Sequence, residues 1–237
     1  MKTSFRHRAE AGQCLAEKLK HHAGGADVIV LGLPRGGVPV AFEVASRLRA
    51  PLDVFIVRKL GVPGHEELAM GAIASGAVLV LNPDVIEHIQ HADAAIEEAT
   101  VQESSELARR EREYRGGRAA PDLSDHVVIL VDDGLATGAT MRAAVTALRQ
   151  QAVAKIVVAV PVGVPESCAA IEQEVDEFIR LITPENFRCV GQYYDDFSQT
   201  TDDEVRDCLA SAAALYVSEG YLRPNVVPFP PLTFAPP

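Results

Sequence analysis

The sequence predicts an α/β fold, a parallel sheet flanked by helices with a small inserted hood, and three observations carry that prediction. Apolar runs of strand length, among them "DVIVLGLP" (27–34), "HVVILVDD" (126–133) and "KIVVAVPV" (155–162), are continuous rather than alternating, as in strands buried on both faces. Amphipathic segments separate these runs, and alternation of strand and helix builds a parallel, Rossmann-like sheet with helices on both sides. Three strand ends open on chemically unusual loops, "LPRGG", "VRKLG" and "VDDGLATGAT". In such sheets ligands bind beyond the carboxyl ends of the strands, so all three loops are expected on one edge.

Taken in order, Phe5 to about His22 reads as an amphipathic helix, Asp27 to Pro34 as a buried strand and Val38 to Arg49 as a helix. Leu52 to Lys59 reads as a second strand. Two short strands, possible partners in a hairpin, follow between Ala69 and Asn82, and a long helical stretch from Pro83 to Tyr114 has a break near His91. "HVVILVDD" is a strand and Thr140 to Gln150 a helix; "KIVVAVPV" is a strand and Pro165 to about Val175 a helix; "EFIRLI" is the last strand. The final helix runs from Thr201 to about Val217, where Thr201, Asp202, Asp203 and Glu204 form a capping box that fixes its start. These elements make one domain over 1–216, with a proline-rich tail over 217–237 that fits neither helix nor central strand.

Composition excludes several function classes. The net charge is −11 and no basic stripe is present, which argues against a nucleic-acid binder. The densest basic patch, "RREREYRGGR" (109–118), reads as a solvated helix end complementing the helix dipole. Cys14, Cys168, Cys189 and Cys208 are scattered, without zinc-ligand spacing, as reduced thiols are. No apolar run is long enough to span a bilayer and "MKTSFRHRAEAGQ" lacks the apolar stretch of a secretory leader, so no membrane association and a cytoplasmic location are expected.

The loop chemistry is more specific. Ala136, Thr137, Gly138, Ala139 and Thr140 lead into a helix; small residues let backbone N–H groups approach a ligand, and the helix N-terminus favours a phosphate. The loop has no lysine, so it is not a Walker A loop, and GxGxxG is absent. Asp132 and Asp133 precede it. Adjacent strand residues point to opposite faces, so both acids serve one ligand only if the chain turns, which Gly134 makes easy. Carboxylates accept hydrogen bonds from vicinal hydroxyls. Phosphate on the N–H groups and hydroxyls on the carboxylates together describe a sugar phosphate.

At this point the sequence resembles the type I phosphoribosyltransferase family, whose signature for 5-phosphoribosyl-1-diphosphate (PRPP) is similar to "VVILVDDGLATGAT". The resemblance implies the type I fold, PRPP as substrate and a site built from Asp132, Asp133 and residues 136–140. It extends to "LPRGG", similar to the family's pyrophosphate loop: Arg35 is implied as a bidentate phosphate ligand, with Gly36 and Gly37 letting the backbone close in. Arg58 and Lys59 stand where adenine-type members carry a basic pair. Residues 61–76 occupy the place of the mobile lid, in which Glu66, Glu67 and His65 are candidates for metal or substrate contact, although residues of these types more often face solvent. Residues 185–200 are the candidate hood; Tyr193, Tyr194 and Phe197 are candidate base-stacking rings, with ordinary packing the competing explanation.

Through the family, Mg²⁺ is implied at Asp132 and Asp133, with Arg35 and Lys59 supporting the leaving pyrophosphate. Ala136 stands where 6-oxopurine enzymes carry an acid, so the chain looks more like the adenine or orotate branches or another branch. Transfer to a nitrogenous base or other nitrogen nucleophile, a place in nucleotide salvage, and a homo-oligomer are the implied outcome. A PRPP-sensing protein of the same fold with little catalysis is the alternative, since fold does not fix function.

Overall fold

The apolar runs bury themselves as continuous strands. The computed structural model describes residues 4–89 and 91–218. In chain order its elements are α1 (Arg8–Leu19), β1 (Val28–Gly32), α2 (Gly37–Leu48), β2 (Leu52–Val54), β3 (Val57–Val62), β4 (His65–Ala74), β5 (Val78–Leu81), α3 (Pro83–Ile86), α4 (Ala92–Arg115), β6 (Val127–Val131), α5 (Ala139–Arg149), β7 (Lys155–Val162), α6 (Pro165–Glu172), β8 (Glu177–Ile182) and α7 (Asp202–Ser218). Short 3-10 turns lie at Lys20–His22 and Val190–Tyr193. The expected tail lies outside the described residues from 219 onward, and the expected boundary at 216/217 falls inside α7.

Five strands form the parallel sheet, in the order β2-β1-β6-β7-β8. β1 and β6 are neighbours in register Val28↔Val127 to Gly32↔Val131. The chain winds one way from β1 to β2 and the other way from β6 onward, so the order reverses between β1 and β6. At such a reversal the loops leaving the two strands diverge and open a crevice; here those loops are 33–37 and 132–138. Alternate strand residues feed two cores. Val30, Ile129, Val131 and Val157 pack with α1, α2, α4 and α7, while Leu31, Val128, Leu130 and Val158 pack with α5 and α6.

The second expected strand changes sheets midway. Leu52–Val54 pairs with β1. Phe55 and Ile56 are buried, and Ile56 is tied to Ser75 by backbone and hydroxyl hydrogen bonds. From Val57 the chain enters a separate antiparallel sheet, β3-β4-β5. An unbroken apolar run does not reveal a change of pairing partner. The stretch read as a lid, 61–76, is the turn and second strand of the β3–β4 hairpin, with β4 ten residues long.

Two other expectations change. The first helix begins at Arg8 rather than Phe5, because Phe5 pairs with Tyr194 in an isolated bridge closed by hydrogen bonds Phe5 N–H to Tyr193 O and Asp195 N–H to Phe5 O, both 2.8 Å. The basic end of α4 is not all solvated: Arg115 is buried and pairs with buried Asp53 of β2 at 2.9 Å. Arg109 and Arg110 pair with Glu106, so carboxylates offset this patch. The expected break near His91 is present between α3 and α4, with His91 at φ 55°. No helix among the described residues is long and apolar enough to cross a membrane.

Candidate active site

β6 ends at Val131, one residue before the acids, so strand alternation no longer governs them. Asp132 Oδ1 accepts the Asp133 backbone N–H at 2.8 Å, which folds the chain at that point. Both carboxylates then face the loop after β1. A Cβ placed on Gly36 would lie 1.9 Å from Asp133 Oδ2, and one on Gly37 would lie 3.0 Å from Asp132 Oδ1 and 2.7 Å from the Val131 carbonyl oxygen. Only glycines allow the "PRGG" loop and the acid pair to touch this closely. Leu33 N–H donates to Val131 O at 2.9 Å and locks the two loops at their base. The Pro34–Arg35 peptide is cis.

Gly134 matters for a reason other than handedness. Its φ is not left-handed; a Cβ there would meet Val190 Cγ1 at 2.4 Å, so the requirement is close packing. The left-handed position is Gly138, φ 76°, immediately before α5. The loop between them is pinned at its base, where Leu135 is buried and pairs with Gly163, and where Ser167 donates its hydroxyl to Ala136 O at 2.6 Å. Ala136, Thr137, Ala139 and Thr140 are exposed, so backbone and hydroxyl donors at the start of α5 stay open to a ligand.

The basic residues divide. Arg35 is about one-third exposed and its Nη1 lies 3.7 Å from Asp202 Oδ2, at the start of α7. Asp202 also accepts a short hydrogen bond from the Tyr114 hydroxyl, and burial, followed by that carboxylate, pushes the Tyr114 phenol up to about 12. Arg58 and Lys59 are consecutive on β3, so their side chains leave opposite faces. Arg58 Nε holds Glu103 of α4 at 2.6 Å. Lys59 is exposed and lines a cavity of about 590 Å³ together with Ala139, Thr140, Arg142 and Leu81, between the small sheet and α5. Glu66 lines a second cavity, about 530 Å³, with Arg58, Lys59 and Glu103. The Glu67 side chain lies outside the described residues.

Tyr193 and Tyr194 are buried and pack on Phe5, Ala11 and Val162. Tyr193 stacks on Phe187 at 5.8 Å, and Tyr194 meets Phe5 at 5.6 Å and Phe197 at 5.0 Å. The rings of Tyr193 and Tyr194 therefore pack on neighbouring aromatic side chains, the ordinary packing that the sequence also allowed. Tyr194 works differently: its hydroxyl donates to the Asp133 carbonyl at 2.7 Å and so fixes the acid loop from behind. The residues 185–200 thus buttress the acid pair.

Arg8, the first residue of α1, escaped the sequence reading. It donates to Asp133 Oδ2 at 2.9 Å and to Ser198 O at 2.7 Å, and its guanidinium lies 4.0 Å over the Phe197 ring. One local signal existed: a cation in the first helical turn opposes the helix dipole, so it needs an acid from elsewhere. Burial raises both carboxyls above the usual range. For Asp132 the charge of Asp133 adds to burial; for Asp133, Arg8 works against it. A pair of desolvated acids with one protein cation attracts a further cation or hydroxyl donors.

The family model for the phosphoribosyl transferase domain matches residues 6–198, spanning both loops and the acid pair. The chain belongs to the phosphoribosyl transferase family. Two curated proteins, from two strains of Mycobacterium tuberculosis and each named "Putative phosphoribosyl transferase", are 50% identical to it over 202 residues, 85% of this chain. The chain spans 45% of the length of those relatives. The crystal structure of TT1426 from Thermus thermophilus is 42% identical, with a TM-score of 0.77, over 87% of this chain and 97% of that one. In this phosphoribosyl transferase domain β6 and residues 132–140 lie on the sheet edge where strand order reverses.

Proposed function

We propose that the chain is a Mg²⁺-dependent phosphoribosyltransferase that moves the 5-phosphoribosyl group of PRPP to a nitrogen nucleophile and releases pyrophosphate. The observation that carries this reading is the contact between Asp132–Asp133 and Gly36–Gly37, beside the open N-terminus of α5. It supports the reading because carboxylate acceptors, in the same loop that leads to the start of α5, touch the glycine loop that follows β1.

In this reading the backbone of Ala136, Thr137, Gly138, Ala139 and Thr140 and the threonine hydroxyls hold the 5-phosphate. Asp132 accepts the ribose hydroxyls; Asp133 shares them once Arg8 gives way. Arg35, with Gly36 and Gly37, binds the pyrophosphate, and Lys59 approaches it from the small sheet. Arg58 reaches it only by leaving Glu103. The C1–O bond to pyrophosphate breaks as the C1–N bond forms, and the nucleophile's nitrogen loses its proton to the surroundings. The chain mainly positions reactants and stabilises charge growing on pyrophosphate.

Mg²⁺ fits the donor set: hard carboxylate oxygens, few of them, raised toward neutrality until a cation offsets them. When bound it supplies neutralisation of the pyrophosphate charge. We extend the proposal to a cytoplasmic homo-oligomer; the exposed Leu68, Leu79 and Leu81 of the small sheet support self-association.

Packing of Tyr193 and Tyr194 in the core favours a second reading, a PRPP sensor, because stacking of an acceptor then falls to other groups. A panel of bases and amines with Mg²⁺ and PRPP, followed by pyrophosphate release, separates the two. Release with any acceptor supports transfer. Tight PRPP binding without release from the whole panel overturns transfer and leaves sensing.

A further inference from the structure

The amino-terminal edge of the sheet, opposite the acid pair, carries a cluster that phosphoribosyl chemistry does not use. His21 and His22 end α1 in a 3-10 turn, and Glu177 is the first residue of β8. His21 Nε2 lies 2.8 Å from Glu177 Oε1 and His22 Nε2 lies 3.1 Å from Oε2. Two ring nitrogens therefore converge on one carboxylate, with the rings side by side at 4.2 Å. All three ligand atoms lie within 4.8 Å of one another, and among the described residues no other His, Cys, Asp or Glu triplet does so.

We propose that His21, His22 and Glu177 bind a divalent transition-metal ion of the zinc class. Zinc–ligand bonds near 2.0–2.1 Å imply tetrahedral ligand–ligand edges of about 3.3 Å, and the three ligand atoms already lie within 4.8 Å of one another, so small side-chain adjustments bring them to one ion. Two imidazoles and one carboxylate make a borderline donor set, which suits zinc and its neighbours and disfavours Mg²⁺, a cation that demands oxygen. His22 and Glu177 are largely buried by β8 and α1, so they are held in place, whereas His21 is 52% exposed and leaves a fourth position to water.

The same cluster contains its own competitor. Lys155, the first residue of β7, places Nζ 2.6 Å from Glu177 Oε2. An incoming ion must displace that ammonium, so Lys155 weakens the site and tunes it. The bound ion would tie the end of α1 to β8, and this holds whether or not the chain transfers phosphoribosyl groups.

The test is a calorimetric titration of the full chain with ZnCl₂ alone, paralleled by Co²⁺ and its visible absorption. One ion per chain is expected, with tetrahedral Co²⁺ bands. The paired substitution His21→Asn with His22→Asn should weaken binding by at least about 10-fold, since losing even a supporting group around a metal costs that much. Lys155→Met should tighten it several-fold, and the histidine substitutions should leave the MgCl₂ isotherm unchanged. Circular dichroism of the metal-free variants checks folding. Should the histidine variant misfold, Lys155→Met and Glu177→Gln carry the test: tightening in the first and loss in the second are required. No uptake by the unaltered chain, or the same isotherm in the histidine or glutamine variants, overturns the proposal.

Discussion

Arg8 and Asp133, 125 residues apart in sequence, form an ion pair in which both Nε and Nη2 of the arginine lie 2.9 Å from the same oxygen, Oδ2. Both side chains are mostly buried, 12% and 15% exposed. The pair joins the first turn of α1 to the signature acids, and the Phe197 ring and Ser198 carbonyl fix the guanidinium in place.

Removing one partner strands the other. Arg8→Met should destabilise the fold by about 2 kcal/mol, the usual cost of a largely buried polar group left without its partner; Asp133→Asn keeps an acceptor for the guanidinium and drops a charge that burial opposes, so it should cost less. The double variant should lose less than the sum, because each partner's need disappears with the other. Urea unfolding of the four proteins measures the coupling, and strict additivity would show that the pair is not energetically linked.

Asp132 should behave in the opposite way. Burial, then the charge of Asp133, raises its carboxyl. Between the ordinary carboxylate value and the raised one, the folded chain binds more protons than the unfolded chain, so stability falls as pH climbs through that window. Asp132→Asn keeps the oxygen that accepts the Asp133 N–H and drops the charge. It should flatten the pH dependence and gain about 1 kcal/mol at neutral pH, while PRPP binding is lost. Chemical denaturation at several pH values, with PRPP calorimetry at pH 7, reads both effects.

Asp202 lies 3.7 Å from Arg35, the residue proposed to bind pyrophosphate. Asp202→Asn retains an acceptor for the Tyr114 hydroxyl but releases the arginine's charge. Exposed ion pairs are worth up to about 1 kcal/mol, so pyrophosphate affinity should rise by no more than about fivefold. Arg35→Ala should weaken pyrophosphate binding more than ribose 5-phosphate binding. Equal losses for the two ligands assign Arg35 another role.

Gly36→Ala tests the contact between the two loops directly. Its methyl group would lie 1.9 Å from Asp133 Oδ2, so the carboxylate or the loop must move. PRPP affinity should drop by more than about tenfold, a loss above 1.4 kcal/mol. Gly64→Ala is the control: nothing lies within 4 Å, and only its φ of 79° penalises alanine, by about 1–2 kcal/mol. It should lower stability and spare affinity.

The sequence by itself determined the parallel sheet, the helix order and the loops at its carboxyl edge, because each rests on local periodicity and on residue types that need no distant partner. "VDDGLATGAT" carries its acid pair, glycines and threonines within ten residues. Tertiary structure alone decided which groups surround those loops. Arg8 and Asp202 reach Asp133 and Arg35 only because α1 and α7 pack beside the switch point. Tyr193 and Tyr194 turn inward because Phe5 forms a bridge beside them, and the strand at 52–62 divides because Ser75 captures Ile56. Hydrophobic pattern specifies that a segment is buried; its partner, and so the orientation of a polar head or a ring face, is set by contacts between residues distant in sequence.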